Sequence, residues 1–241
     1  MRIYIGFDDT DTVDSDRGTG KLARWFENEL PKTCRLRGVV RQQLLLDHSI
    51  PYTTHNSSAC AIVETSDSVT AEDLIPLAIN HIERHFIPGS DPGLCVASEE
   101  NPALSKLILF GQTCTAKVVT QKEALQAALG AHLSGHGGSN GGIIGAAAGV
   151  GLTAHGWSGR FIELGRLRDL PERVHVSDLE QLGVTVVSID QDAQIPAPED
   201  IVVTGGWLRP RLWAGKPVLP VIPKDKNLWE TVGGKKRRKN I

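Results

Sequence analysis

Paired cysteines are missing from this chain. Cys34, Cys60, Cys95 and Cys114 are the only four, and no two stand at C-x-x-C or Cys/His ligand spacing. That pattern excludes a zinc ribbon and a redox dithiol, and it fits a reducing compartment. No apolar stretch approaches the ~18 residues a membrane helix needs, and the chain opens on a strand pattern without a basic, then apolar, leader. The expectation is a cytoplasmic protein with no membrane partner. Net charge is only −2, so the broad basic field on which sequence-independent nucleic-acid binding relies is also missing. RNA is therefore not the default partner. There is no internal repeat and no long low-complexity segment. With 40% hydrophobic and 22% charged residues over 241 positions, the chain is long enough for one large or two small globular domains.

What is present is a concentration of carboxylates. Asp8, Asp9, Asp11, Asp14 and Asp16 follow directly on an apolar strand pattern, residues 3–7, and a helix pattern begins near Thr19. Two like charges about 4 Å apart repel by roughly 1 kcal/mol in water and about 4 kcal/mol at an effective dielectric of 20. Such crowding calls for a cation or a proton, and Mg²⁺ shared with nucleotide phosphates is the usual relief. The helix start adds unpaired N–H groups and a favourable dipole for anions. The competing reading is an acidic surface loop that caps the helix.

Along the chain, hydrophobic spacing predicts a helix over 19–30 ended by Pro31, strands over 37–46 and 60–64, and a helix over 71–85. A short strand is expected at 94–97 and helices at 104–110 and 121–132, with 117–120 open as a strand. The Gly-rich run 135–151 follows, in which Ser139 or Asn140 would cap a small-residue helix beginning near Gly142. Later strand candidates are 161–164, 184–189 and 201–204. Alternating strands and helices argue for an α/β or α+β fold. Weak, Gly- and Ser-containing sequence at 152–158 suggests a boundary. The resulting division is 1–155 for the first domain, 156–222 for a smaller second domain and 223–241 for a basic tail ending in Lys235 to Lys239.

Several nucleotide motifs almost fit. Gly18-Thr19-Gly20-Lys21 lacks both the earlier glycine and the Ser/Thr of a P-loop, since Ser15 and Leu22 hold those places. What remains is a helix start with two permissive glycines, a hydroxyl and a cation. Thr19 is either an N-cap or a nucleophile beside phosphates. Asp9-Thr10-Asp11-Thr12 is similar to the D-x-D loop of haloacid-dehalogenase-type phosphatases, with Asp190 and Asp192 as the nearest second acidic loop. The 135–151 run has no G-x-G-x-x-G order; its glycines either bring backbone N–H groups to an anion or let a helix pack closely on a sheet. No histidine pair forms an H-E-x-x-H signature, and His55 and His136 are the two whose loops are placed to face the acids.

Taken together, Ile5-Gly6-Phe7-Asp8-Asp9-Thr10-Asp11-Thr12, Gly18-Thr19 leading into Leu22-Ala23, Ile50-Pro51-Tyr52-Thr53-Thr54, Gly142-Ile143-Ile144-Gly145-Ala146 and Arg211-Leu212-Trp213-Ala214-Gly215 resemble agmatinylcytidine synthetase, the archaeal enzyme that modifies the wobble cytidine of an isoleucine tRNA. The resemblance implies an ATP- and Mg²⁺-dependent kinase-like domain followed by a ferredoxin-like domain. It implies metal and phosphates at the aspartates, and phosphorylation of a threonine at the place of Thr19. The sequence departs from the family where Thr53, His55 and the neutral stretch 138–141 replace basic residues, and the family's OB-fold and zinc-ribbon domains have no counterpart in it.

The combined expectation is an ATP- and Mg²⁺-dependent phosphoryl-transfer enzyme, kinase- or ligase-like, on an unidentified acceptor. Asp8, Asp9 and Asp11 would bind the metal, with Thr19 completing the catalytic set. Thr10, Gly18, Lys21, His55, Gly141, Gly142 and Gly145 would line the nucleotide. Nucleic acid is expected only as a weak partner, and a homo-oligomer is left open. The alternatives are a non-catalytic ATP-binding subunit and a Mg²⁺-dependent phosphatase with an aspartate nucleophile.

Overall fold

The computed structural model describes residues 1–52, 55–66, 69–192 and 194–233, and the chain divides into two compact units, 1–159 and 160–241. The fold is mixed α and β. Unit one opens with β1 (Arg2–Asp8), α1 (Thr19–Trp25), β2 (Cys34–Gln43), β3 (Ser57–Thr65), α2 (Ala71–His85) and β4 (Gly93–Ser98). Helices α3 (Leu104–Cys114) and α4 (Gln121–Ala127), strand β5 (His132–Gly135) and helix α5 (Gly142–His155) follow. Its sheet runs β5-β4-β1-β3-β2, every pairing antiparallel. The first six elements thus have the βαββαβ connectivity of a ferredoxin-like motif, with β1 in the middle of the sheet.

Both faces of that sheet are covered, and β1 records it residue by residue. Successive side chains of a strand point to opposite faces. Ile3, Ile5 and Phe7 are fully buried, and the Phe7 ring meets Phe26, beyond α1, at 5.8 Å and His81 of α2 at 6.0 Å. On the other face lies α5, so close that a Cβ on Gly6 would overlap the Ala146 carbonyl oxygen. Gly151 makes an equally close passage against the backbone of Leu107 on α3. The small residues of α5 therefore serve helix packing, and eleven of its positions from Gly142 to Thr153 are buried.

Unit two contains β6 (Arg160–Glu163), β7 (Arg173–His175), α6 (Val176–Gln181), β8 (Thr185–Ser188), β9 (Ile201–Val203), β10 (Arg211–Trp213), β11 (Lys216–Asp225) and β12 (Leu228–Thr231). Its strands run β6-β10-β11-β12-β9-β7, with β8 pairing β11 in parallel. The β10–β11 hairpin turns on Ala214 and Gly215, both at positive φ (50° and 71°), as a two-residue type I′ turn requires. Phe161, Leu179, Leu208 and Trp229 are among its buried side chains, and the Trp229 indole donates to Asp200 at 2.8 Å.

Some elements differ from expectation for local reasons. Residues 117–120 form no strand, because Thr120 begins α4 in a capping box with Glu123, whose carboxylate accepts its N–H at 2.7 Å. The helix expected to 132 ends at Ala127; Gly130, at φ 97°, turns the chain into β5. Gly141 stands at the N-cap of α5, while Asn140 is left-handed at φ 61° and the Ser139 hydroxyl donates to Asp91. Residues 223–231, read as the start of a tail, belong to the β11–β12 hairpin, whose strand character is hidden by Pro217, Pro220 and Pro223 of β11. The βαββαβ order belongs to the first unit, and the second has a single α-helix among the described residues. Thr53, Thr54 and Lys235 to Lys239 lie outside the described residues.

Candidate functional site

Strand register gathers one end of the first unit. Asp8, the last residue of β1, is opposite Gly93 at the start of β4, which in turn faces Gly135 at the end of β5; Phe7 is opposite Ala59 near the start of β3. The aspartate loop, the segment before β4, the β2–β3 loop and the entry to α5 all emerge there. Backbone bonds tie three of them: Ile87 N–H donates to Thr10 O at 2.9 Å, His136 N–H to Pro92 O at 2.8 Å, and Gly142 N–H to Asp91 O at 2.9 Å.

Within this end two of the carboxylates are shifted toward their protonated form. Asp8 lies against the first turn of α5, where burial pushes its carboxyl up to about 8, with the charges of Asp9 and Asp11 adding to the effect. Asp9, in the left-handed region at φ 51°, is raised to about 6, first by burial, then by Asp91 and Asp11. Asp91 thus joins the cluster from a distant part of the sequence, where a lone acid in Asp-Pro-Gly carries no motif. Asp14 and Asp16 are exposed, and Asp16 pairs with Arg17 at 3.7 Å.

Thr19 is the hub of the loop. Its hydroxyl donates to Asp11 Oδ1 at 3.1 Å and accepts from the Thr10 N–H at 3.3 Å and the Thr10 hydroxyl at 3.1 Å; its own N–H donates to the same Asp11 oxygen at 3.0 Å. Gly18, not Thr19, occupies the N-cap of α1, and Asp11 supplies the capping carboxylate from outside. Thr10 and Thr19 are 2% and 7% exposed, so the hydroxyl pair is an internal feature.

Other expected ligands sit differently. The Lys21 ammonium lies over the Trp25 ring, 5.1 Å from its centre, which holds it on α1 by a cation–π contact. Arg17 shares that ring at 5.9 Å. His55 is exposed in the β2–β3 loop at the same end of the sheet. His136 turns to Ser134 at 2.8 Å and to Glu83 of α2 at 3.3 Å. The α5 entry offers fewer free donors than a Gly-rich loop suggests: Gly142, Ile143 and Ile144 N–H groups donate to Asp91, Asn140 and Gly141 carbonyls. At α1 the Thr19 N–H is likewise taken by Asp11. The role of Gly145 is steric, since a Cβ there would collide with the Asp8 carboxylate.

Asp8, Asp9, Asp11 and Asp91 present oxygen only. That donor set suits a hard divalent cation such as Mg²⁺, which takes carboxylates and keeps sites for water and phosphate oxygens. Burial is the first cause of the raised Asp8 and Asp9 values and their carboxylate neighbours the second, so a proton or a cation would each relieve them.

The chain resembles TiaS, a tRNA agmatidine synthetase. It is 26% identical to apo TiaS, with a TM-score of 0.51 over 63% of this chain and 35% of that one. To TiaS in its complex with tRNA and ATP the identity is 26% and the TM-score 0.53, over 63% and 36% of the two chains. To TiaS in its complex with tRNA, AMPCPP and agmatine they are 28% and 0.50, over the same shares. The chain spans little more than a third of the length of these proteins. No family model matches it, and no curated protein does. Among the described residues no helix is long and apolar enough to cross a membrane.

Proposed function

We propose that the first unit binds ATP with Mg²⁺ at Asp8, Asp9, Asp11 and Asp91 and transfers a phosphoryl or nucleotidyl group, as an enzyme related to TiaS whose acceptor is not fixed by these residues. The support for the reading is that Asp8 feels the charges of Asp9 and Asp11, and Asp9 those of Asp91 and Asp11, at one end of a chain similar to a protein solved with ATP. Bound there, the cation would neutralise phosphate charge.

The chain's own groups supply the rest. Asp11 accepts the Thr19 hydroxyl's hydrogen bond, an arrangement in which the carboxylate can take that proton as the oxygen attacks the γ-phosphorus and the bond to the bridging oxygen breaks, releasing ADP. Thr10 holds the same oxygen from the other side and fixes its direction. Lys21, on Trp25, adds positive charge at the start of α1 rather than a contact to the aspartates.

Calorimetric titration with ATP, with and without Mg²⁺, tests the site. Binding should require the metal and weaken in Asp8→Asn and Asp91→Asn; equal affinity in all three proteins removes the proposal. Mg²⁺-dependent ATP binding without any turnover would instead favour a regulatory subunit, and hydrolysis of phosphomonoesters without ATP would favour a phosphatase.

A further inference from the structure

On the face of the sheet opposite α5, the short 3-10 segment Phe26–Glu29 meets the C-terminal half of α2. His81 and His85 are four apart on α2 and therefore share one side of the helix. With Glu29 they bring three ligand atoms within 4.8 Å of one another.

His81 is fully buried, between Phe7 and Phe26, and its Nε2 lies 2.9 Å from the Leu22 carbonyl oxygen. A carbonyl only accepts, so Nε2 carries the proton and Nδ1 is left to be a lone pair or a second N–H. Nδ1 has no hydrogen-bond partner; Glu29 Oε1 is 3.7 Å away, beyond hydrogen-bond length. Burial, aided by the neighbouring His85, disfavours the doubly protonated ring and outweighs the Leu22 carbonyl and Glu29, which favour it. A buried lone pair aimed at a carboxylate is thus left without positive charge between them.

We propose that Glu29, His81 and His85 form a second metal site, for a zinc-class divalent cation, separate from the aspartates. The arrangement around it is that of ligands already oriented. A metal-bound histidine usually donates its other N–H to a backbone carbonyl or carboxylate, as His81 does to Leu22. Arg84 takes Glu29 Oε2 at 3.4 Å and leaves Oε1 for the cation. Trp25 packs edge-on against His85 at 5.6 Å. Two imidazole nitrogens and one carboxylate with a fourth position open suit Zn²⁺ and not Mg²⁺. Bonds of about 2.0–2.1 Å need ligand atoms roughly 3.3 Å apart, a closure within reach of the half-buried Glu29 and His85 side chains.

The test is titration of the metal-free full-length protein with Zn²⁺, and separately with Co²⁺ for its absorption bands, in excess Mg²⁺ to occupy the oxygen-lined site. One equivalent should bind, with nitrogen-ligand Co²⁺ bands and shifted imidazole NMR signals of His81 and His85. His85→Gln and Glu29→Gln should each weaken binding by at least the roughly 10–100-fold typical of losing an outer-shell partner, while melting cooperatively. Asp8→Asn should bind as the wild type does. Absence of binding, equal binding by His85→Gln, or loss of binding in Asp8→Asn alone would overturn the assignment.

Discussion

Gly145 and Asp8 occupy one space: the α-hydrogen face of Gly145, in the first turn of α5, covers the Asp8 carboxylate, and a methyl group there would overlap it. Gly145→Ala should therefore displace either the helix or the carboxylate. Overpacking of this kind costs about 1–3 kcal/mol. The expected result is a lower melting temperature together with weakened Mg²⁺-ATP binding. Gly141→Ala is the control, because a Cβ there meets Asp91 and Ser139 only at ordinary contact, 3.5 Å. Adding Asp8→Ala to Gly145→Ala should recover stability, a coupling that a double-mutant cycle reads directly. Additive losses in the cycle would mean that the two residues do not compete.

The aspartates also set a pH dependence. In the folded, metal-free protein Asp8 holds its proton up to about pH 8, whereas in the unfolded chain it releases it near the ordinary carboxylate value of 3.8. Between those values the folded state binds more protons, so the contribution of Asp8 is greatest at low pH and is lost as pH rises through 8. Asp9 acts in the same direction but finishes near pH 6. His81 and His132, whose values are lowered by burial, work in the opposite direction below about 6.5. Melting in a chelator from roughly pH 6.5 to 8 should therefore fall for the wild type and be flatter for Asp8→Asn. Parallel curves for the two proteins would contradict the assignment.

Some of this was legible in the sequence. The apolar run before Asp8 and the Ala71–His85 periodicity give β1 and α2 directly, because a central strand and an amphipathic helix write their burial into local spacing. The Gly-rich run marks a helix start, yet only three dimensions show that its glycines admit Gly93, Asp8 and Leu107. Asp91 was invisible because a solitary acid becomes a fourth carboxylate only when β4 pairs with β1. His81 and His85 carry no signal in the sequence for a similar reason: their spacing is common on helices, and Glu29 joins them through tertiary packing alone. In the second unit, three prolines in β11 masked the strand that pairs with β10, β12 and β8.

Thiol chemistry offers an independent check of the core. Cys60 and Cys95 are fully buried on the sheet and Cys114 is 4% exposed on α3. Burial pushes Cys60 and Cys114 up to about 12 and raises Cys95 as well. Cys34, at the start of β2, is also raised by burial but is only half-buried, so accessibility sets it apart from the other three. Since the thiolate is the reactive form, iodoacetamide at about pH 8 should label Cys34 alone in the folded protein and all four cysteines in denaturant. Labelling of Cys60 or Cys95 at a comparable rate without denaturant would mean that the sheet opens far more readily than its packing implies.

Thr19 divides structure from chemistry. Removing its hydroxyl in Thr19→Ala leaves Asp11 and Thr10 short of partners inside a buried loop, at a cost of about 1–3 kcal/mol whatever the protein does with ATP. Thr19→Ser keeps the oxygen and should cost about 0.8 kcal/mol for the buried methyl. Stability alone therefore cannot separate the roles. Asp11→Asn, read at saturating Mg²⁺-ATP because the proposed metal site includes Asp11, does, since an amide still offers an oxygen to the Thr19 N–H but no longer accepts a proton from its hydroxyl. If Thr19 is the phosphoacceptor, incubation with ATP and Mg²⁺ should leave phosphate on it by mass spectrometry, on the replacing serine in Thr19→Ser and nowhere in Thr19→Ala. Asp11→Asn should slow incorporation by roughly 10²–10⁴-fold while melting close to the wild type. An unmodified Thr19 in a protein that consumes ATP, with Thr19→Ala turning over at the wild-type rate, would make the hydroxyl a strut between Asp11 and Thr10 and leave the acceptor to be sought elsewhere.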